Sequence, residues 1–380
     1  MMQRLQQKIA TLEETDLFFQ TPMKTMIGKQ TVPLHVSSLD KLEETLRQAF
    51  EKASPHTLVI GALPFDHHQS PALHLCDNVE INNRAQFNGE EAPAATIAAT
   101  RVQAYPPKKT FEQMVRRAVS RMQQSTLQKV VLARTLEIEA DEIPYKAILQ
   151  YLATHHPKGY TYAIPLANGE RFIGASPELL IRKFGQHFVA NPIAGSRKRT
   201  FDVEKDRAQA EELIASAKDL HEHQIVVSMV KSVLEPFAKT LVVPATPSII
   251  YTDTMIHLST MIEGELKEVM SSLSLARLLH PTPAVCGEPR QAAFETIQQI
   301  EPFDRGYFAG IVGYMDRHGD GEWVVAIRCG KVHATGMTLY AGAGIVDTSS
   351  PSAEAAETGA KFQTMLHAIH DQQSKGVISK

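Results

Sequence analysis

Cysteine is scarce in this 380-residue chain: Cys76, Cys286 and Cys329 are odd in number, far apart and form no CxxC. That excludes a disulfide scaffold and a thiolate zinc site, and it reads as reduced thiols in a cytoplasmic protein. No run of about 18 apolar residues occurs, so no membrane span is expected. Residues 1–15 are polar and amphipathic and lack the apolar core of a secretion signal. Neither sign of charge dominates. The net charge is −3 and Lys and Arg form no basic stripe, which removes nucleic acid as an expected partner. There is no internal repeat, no low-complexity tract and no GxGxxG. The 16 histidines show no metal spacing beyond His221-Glu222-His223, whose imidazoles would splay apart on a helix, so zinc is not expected. What remains is a globular composition, 43% hydrophobic and 21% charged, with ample material for a core.

Periodicity alternates helices with strands. Leu39, Leu42, Leu46, Ala49 and Phe50 mark an amphipathic helix, followed by an apolar strand near residues 57–65. Residues 90–110, rich in Ala and Pro, read as a connection. A helix is predicted from Thr110, where Thr110 and Gln113 have capping-box spacing and Phe111, Met114, Val115, Ala118 and Met122 form the stripe. A strand follows over residues 128–138. The longest helical stretch runs over residues 202–237, with Pro236 helping to end it. Residues 310–314 and 323–329 read as strands joined by the hairpin signal Asp316-Arg317-His318-Gly319-Asp320-Gly321. Hairpins interspersed with helices, rather than regular βαβ units, predict an α+β protein.

Against that background stand four carboxylates in two pairs, Asp219 with Glu222 and Glu354 with Glu357, each spaced i and i+3 on a predicted helix. Ile225, Val226, Met229, Val230 and Val233 continue a stripe that begins at Glu222, which turns that carboxylate toward the core. A buried carboxylate requires a partner or a metal. Carboxylates from two helices suit a hard cation such as Mg²⁺, which keeps positions open for water and substrate. The plainer alternative is that Glu357 pairs with Lys361 at i+4 on a wet helix face.

Other polar groups sit where a plain core would not want them. Strand alternation puts Lys129 on one face with Val131 and Ala133, as a snorkelling edge residue or as a desolvated amine fit to be a base. Glu178 ends the turn Gly174-Ala175-Ser176-Pro177 ahead of an apolar run; it either caps and salt-bridges or serves as an acid with a raised pKa. Gly195 and Ser196 lie beside Arg197, Lys198 and Arg199, an anion-site composition. In Ala341-Gly342-Ala343-Gly344 the glycines let backbone N–H groups approach a ligand. Arg328, inside the apolar run 323–329, requires a carboxylate or phosphate partner.

Taken in order, residues 128–134, 174–178, 192–196, 221–223, 257–259, 280–287, 320–328, 340–346 and 357–361 resemble the chorismate-utilising enzymes. Within them the chain is most similar to isochorismate synthases of the siderophore type. The similarity covers residues 105–370; residues 1–104 match loosely. It implies one domain over residues 1–380 with the α+β chorismate-utilising fold: two antiparallel sheets packed face to face, helices outside, the site in the central cleft. It further implies that Lys129 activates water and Glu178 protonates the departing hydroxyl. Glu222 and Glu357 would hold Mg²⁺ at the ring carboxylate, with Asp219 and Glu354 behind them. Arg328 would clamp the enolpyruvyl carboxylate, and Gly195, Ser196, Gly342 and Lys361 would line the carboxylate sites. Ala284, Val285 and Phe308 would shape the ring pocket, and His257 would orient the ring or handle a proton. Asp219 departs from distant relatives that carry Glu, a shorter reach toward a metal.

The same comparison separates sister reactions. Aminodeoxychorismate synthases carry a nucleophilic lysine where Ala194 stands, and anthranilate synthases lack a base lysine at the position of Lys129. Salicylate synthases share Lys129 and Glu178 and then eliminate pyruvate, which makes them the alternative; a non-catalytic binder of aromatic acids is the alternative of another class. The implied partners are chorismate and Mg²⁺, with a monomer that hands isochorismate to an isochorismatase.

Overall fold

Residues 129–136 are buried without interruption, so most of the Lys129–Glu139 strand has no solvent face and must be covered on both sides. The covering explains the architecture. In this computed structural model, which describes residues 4–370 except 37, 88 and 90, that strand lies in a ten-stranded sheet. A nine-stranded sheet faces it. Every pairing within the two sheets is antiparallel; the parallel pair among the described residues is the short one between Ala95–Thr96 and Ile369–His370. One apolar cluster joins the sheets, with Phe19, Leu132 and Ile164 from the first meeting Ile60, Ile181 and Trp323 from the second. The fold is α+β as expected, two antiparallel sheets with helices outside.

Both ends of the chain feed both layers. Leu17–Gln20 and Lys24–Lys29 join the same sheet as Gly336–Ile345, and Leu58–Leu63 pairs with Ile311–Asp316 in the other. The helix Pro351–His367 packs on the Gly336–Ile345 strand and on the helix Lys108–Met122. The helix Ala217–Leu234 packs on Ile193–Lys198, a strand of a separate three-stranded sheet.

Four local expectations are corrected. The connection 90–110 contains the strand Arg101–Tyr105, which pairs with the Lys129–Glu139 strand in the register Val102↔Ile138; residue 90 lies outside the described residues. The helix expected from Thr110 begins at Lys108, directly after Pro106-Pro107, so the Thr110–Gln113 spacing falls inside it and caps nothing. The helix expected over 202–237 is two helices, Val203–Ala215 and Ala217–Leu234. Ser216 between them is extended (ψ 108°) and its hydroxyl accepts from the Asp219 N–H at 3.3 Å, starting the second helix as an N-cap. Finally, the strand expected over 323–329 is two strands, Gly321–Val325 and Cys329–His333, in different sheets.

That last break positions the site. Arg171–Ser176 pairs with Cys329–His333 in the ten-stranded sheet, while Leu179–Phe184 pairs with Gly321–Val325 in the nine-stranded one. Two neighbouring antiparallel strands therefore leave one sheet for the other side by side. They stay bonded through the switch: Val325 N–H donates to Glu178 O at 3.1 Å, Ala175 N–H to Arg328 O at 3.0 Å. Glu178 and Arg328 occupy the two switch segments, and Arg328 takes a left-handed φ of 53°.

Candidate active site

Beside the switch lies a cleft of about 270 Å³, near the lower end of small-ligand sites. Of the residues singled out from sequence, Glu178, Gly195, Ser196, Asp219, Glu222, His257, Ala284, Val285, Phe308, Arg328, Gly342, Glu354, Glu357 and Lys361 all line it. Lys129 does not; it is fully buried just behind, with Nζ 2.9 Å from Glu222 Oε1. It is thus a desolvated amine, not an edge residue. Glycine makes that approach possible: a Cβ on Gly344 would lie 2.6 Å from Glu222 Oε1 and 3.2 Å from Lys129 Cε.

Glu178 is 3% exposed. Burial pushes its carboxyl up to about 7, against the downward pull of Arg328, Lys129 and Lys361. Near neutrality a large fraction of it is protonated, the condition for a proton donor. Arg328 is buried, and among the described residues none forms an ion pair with it within 4.0 Å. A guanidinium held in this way is ready for an incoming carboxylate. Its position at a sheet-to-sheet switch, rather than inside a strand, is what aims it at the cleft.

The four helix carboxylates face the same space, each with its own cation. Lys129 holds Glu222, Lys361 holds Glu357 at 2.7 Å, Lys218 holds Glu354 at 3.4 Å, and Arg197 holds Asp219 at 2.8 Å. Glu222 is at the flank of its helix: the buried stripe is His223, Val226, Val227, Val230 and Leu234, so its side chain leans to the cleft instead of the core. Burial alone would raise the Glu222 carboxyl, but Lys129, then Lys361 and Lys218, hold it below the ordinary range. Burial and the neighbouring Glu357 raise Glu354 instead. The i+4 pair of Glu357 with Lys361 does form, yet inside the cleft, and Lys361 Nζ also donates to Gly342 O at 2.8 Å.

Donors that are all carboxylate oxygens, from two helices lining one cleft, fit Mg²⁺, which takes one or two carboxylates and fills its shell with water and substrate. Among the described residues no three Asp, Glu, His or Cys side chains converge to metal-holding distance. The lysines and Arg197 instead supply the positive charge these carboxylates attract.

The remaining wall is apolar. Ala284, Val285 and Phe308 line it, and the Phe308 ring stacks on Tyr340 at 5.2 Å and 12°. Gly195, φ 76°, sits at a register shift between Ala194 and Ser196, and a Cβ there would come within 3.2 Å of Asp219 Cβ. Ser196 Oγ lies 2.8 Å from His257 Nδ1, and His257 Nε2 is buried with no hydrogen-bond partner. Burial, helped by Arg328 and Lys361, holds that imidazole well below its ordinary pKa and therefore neutral. The anion-site reading of residues 195–199 holds only in part: Arg197 and Arg199 are committed to Asp219 and Asp206.

Lys218 and Tyr340 also line the cleft, beyond the site residues that the sequence singles out. Lys218, one residue before Asp219, could have been found from the helix on which both stand. Tyr340 carries no signal distinguishing it from a strand aromatic.

The chain is similar to known proteins over most of its length. The family model described as chorismate binding enzyme matches residues 48–370. The isochorismate synthase DhbC of Bacillus subtilis is 43% identical over 87% of this chain and 85% of its own length. The vibriobactin-specific isochorismate synthase of Vibrio cholerae is 38% identical over 94% and 92%. Among solved structures, the 2,3-dihydroxybenzoate-specific isochorismate synthase DhbC of Bacillus anthracis superposes with a TM-score of 0.88 at 40% identity, covering 96% of this chain and 99% of that one. Anthranilate synthase component I of Streptococcus pneumoniae, TM-score 0.76 at 20% identity over 90% and 92%, shares the fold.

Proposed function

The chain belongs to the chorismate-binding enzyme family, and from that premise we propose that its cleft converts chorismate to isochorismate. Relatives specific for vibriobactin and for 2,3-dihydroxybenzoate support a place in catecholate siderophore synthesis. The observation that carries the reading is a buried carboxyl raised to about 7, Glu178, lining the same small cleft as Glu222, whose partner is the amine of Lys129 buried directly behind it.

In the proposed reaction Lys129, in its uncharged form, takes a proton from a water as its oxygen bonds to ring C2. The double bonds shift, the C4–O bond breaks, and Glu178 gives its proton to the departing hydroxyl, which leaves as water. Atoms balance, and one proton returns from Lys129 to Glu178 through solvent to close the cycle. Arg328 receives the enolpyruvyl carboxylate. Ala284, Val285 and Phe308 hold the ring; Gly195, Ser196, Gly342 and Lys361 border the carboxylates. Neutral His257, fixed by Ser196, orients the ring or passes a proton. Glu222 and Glu357 would hold Mg²⁺, with Asp219 and Glu354 behind them, through water or as orienting groups; the ion would supply charge neutralisation at the ring carboxylate.

The buried, unpaired thiols of Cys76, Cys286 and Cys329 support a reducing, cytoplasmic setting, and interleaving of both chain ends supports one domain. No helix among the described residues is long and apolar enough to cross a membrane. A monomer that passes its product to an isochorismatase rests on the family resemblance alone. The test is to incubate the purified chain with chorismate and Mg²⁺ and separate the products. Isochorismate is expected. Salicylate with pyruvate in comparable amount would give the site to the salicylate synthase reaction, and no turnover would leave a binder.

A further inference from the structure

We infer that Arg305 and Glu301 are positioning residues that fix the ring wall against the strand carrying Lys129, without touching substrate; this rests on reading the cleft as the chorismate site. Neither residue lines the cleft. Glu301 directly follows the helix Arg290–Ile300, and Arg305 sits four residues on, in the turn before Ile311–Asp316. Their side chains are 3% and 1% exposed for Arg305 and Glu301, and they meet fork to fork, Nε to Oε2 at 2.8 Å and Nη2 to Oε1 at 2.5 Å.

The pair's other bonds all go to the backbone of the site. Arg305 Nη1 donates to Val285 O at 2.8 Å and Nη2 to Val131 O at 2.7 Å. Glu301 Oε1 accepts from Ala133 N–H at 2.7 Å. The guanidinium also lies 4.4 Å from the Phe65 ring and 5.7 Å from that of Phe308. Val131, Val285 and Phe308 line the cleft, and Val131 is two residues past Lys129 on one strand. One rigid fork therefore ties the ring wall to the strand that bears the base.

A buried ion pair is weak evidence for stability, since apolar residues of like volume often do as well. Apolar residues could not bridge two carbonyls on different segments. Lysine could keep the charge but, as a point donor on a flexible stem, could not hold the carboxylate and both carbonyls in one plane.

The experiment compares Arg305→Lys and Glu301→Gln for chorismate KM and for urea unfolding. KM does not depend on how much enzyme is folded, so loss of stability alone leaves it unchanged. Arg305→Lys is expected to raise KM about tenfold, within the roughly 100-fold loss that a 1 Å misplacement can cause. Glu301→Gln keeps an oxygen for Ala133 N–H but turns an NH2 group toward Arg305 Nε–H, where Oε2 accepts in the wild type. It is expected to lose more stability, because it leaves a buried cation unpaired, yet to raise KM by less than Arg305→Lys, about threefold. A KM within about twofold for Arg305→Lys, or KM changes in both variants that track stability, would overturn the inference. If Arg305→Lys does not fold, Glu301→Asp, which draws the guanidinium back from both carbonyls, is expected to raise KM likewise; an unchanged KM there also overturns it. Failure of the wild type to turn over chorismate would instead defeat the functional reading.

Discussion

Replacing Glu178 by glutamine should stabilise the protein at alkaline pH while disabling it, and the size of the effect follows from burial. The carboxyl is raised from 4.5 to about 7 by desolvation, with Arg328 and Lys129 only partly offsetting it. In the unfolded chain it titrates near its ordinary value. Between pH 4.5 and 7 the folded protein therefore binds the extra proton, and stability falls as pH rises through that window. Below it the carboxyl is neutral in both states and contributes no pH-dependent term. Above it the full penalty is present, about 3 kcal/mol at about 1.36 kcal/mol per pH decade. Glutamine is neutral throughout. Urea unfolding of Glu178→Gln and wild type should thus differ by an amount that grows from pH 4.5 to pH 8 by about 3 kcal/mol in favour of the variant. Forward activity of wild type should meanwhile decline above about pH 7, and the variant should be slow at every pH. A stability difference that does not change with pH, or that grows toward acid, would refute the argument that desolvation sets this group.

Lys129→Ala should slow the forward and reverse reactions alike, by roughly 10²–10⁴-fold; a variant crippled forward and normal in reverse would contradict the pairing with Glu178. Glu222→Gln or Glu357→Gln should nearly abolish turnover and Glu354→Gln should hurt less, read against Mg²⁺ titration after EDTA treatment; full activity of either of the first two in Mg²⁺-free buffer would sink the metal assignment. Arg84, buried, donates to the carbonyls of Thr21, Ala153, His156 and Gly159. Arg84→Ala should lower unfolding free energy by about 3 kcal/mol, leaving activity per folded molecule within about twofold; a stability change below about 0.5 kcal/mol would contradict it.

Much of the site could be read from the chain because its residues violate local rules. A lysine amid Val130, Val131 and Leu132, a glutamate ahead of Leu179 and Leu180, and an arginine after Ile327 are each out of place in a core. Apolar periodicity recovered the helix through Phe111 and Met122 and the strand through Val130 and Leu132. It could not show that the 323–329 run changes sheets at Arg328, since a switch between two buried layers leaves the apolar pattern unbroken. Ser216 was hidden for a related reason: a cap between two helices of like polarity looks like one long helix. The strand Arg101–Tyr105 alternates exposed and half-buried residues and lacks a strong apolar face. The cations paired with Glu222, Asp219 and Glu354, and the bonds from Arg305 to the carbonyls of Val285 and Val131, join residues up to 174 positions apart and have no local signature.

The most direct test of the central claim, that water adds at C2 and the C4 hydroxyl leaves, is turnover of chorismate in ¹⁸O-labelled water under initial-rate conditions, with mass analysis of isochorismate. One ¹⁸O in the ring hydroxyl of each product molecule is the expected result. Isochorismate that retains the original ring oxygen would mean the hydroxyl migrates within the substrate, and the roles given to Lys129 and Glu178 would fall.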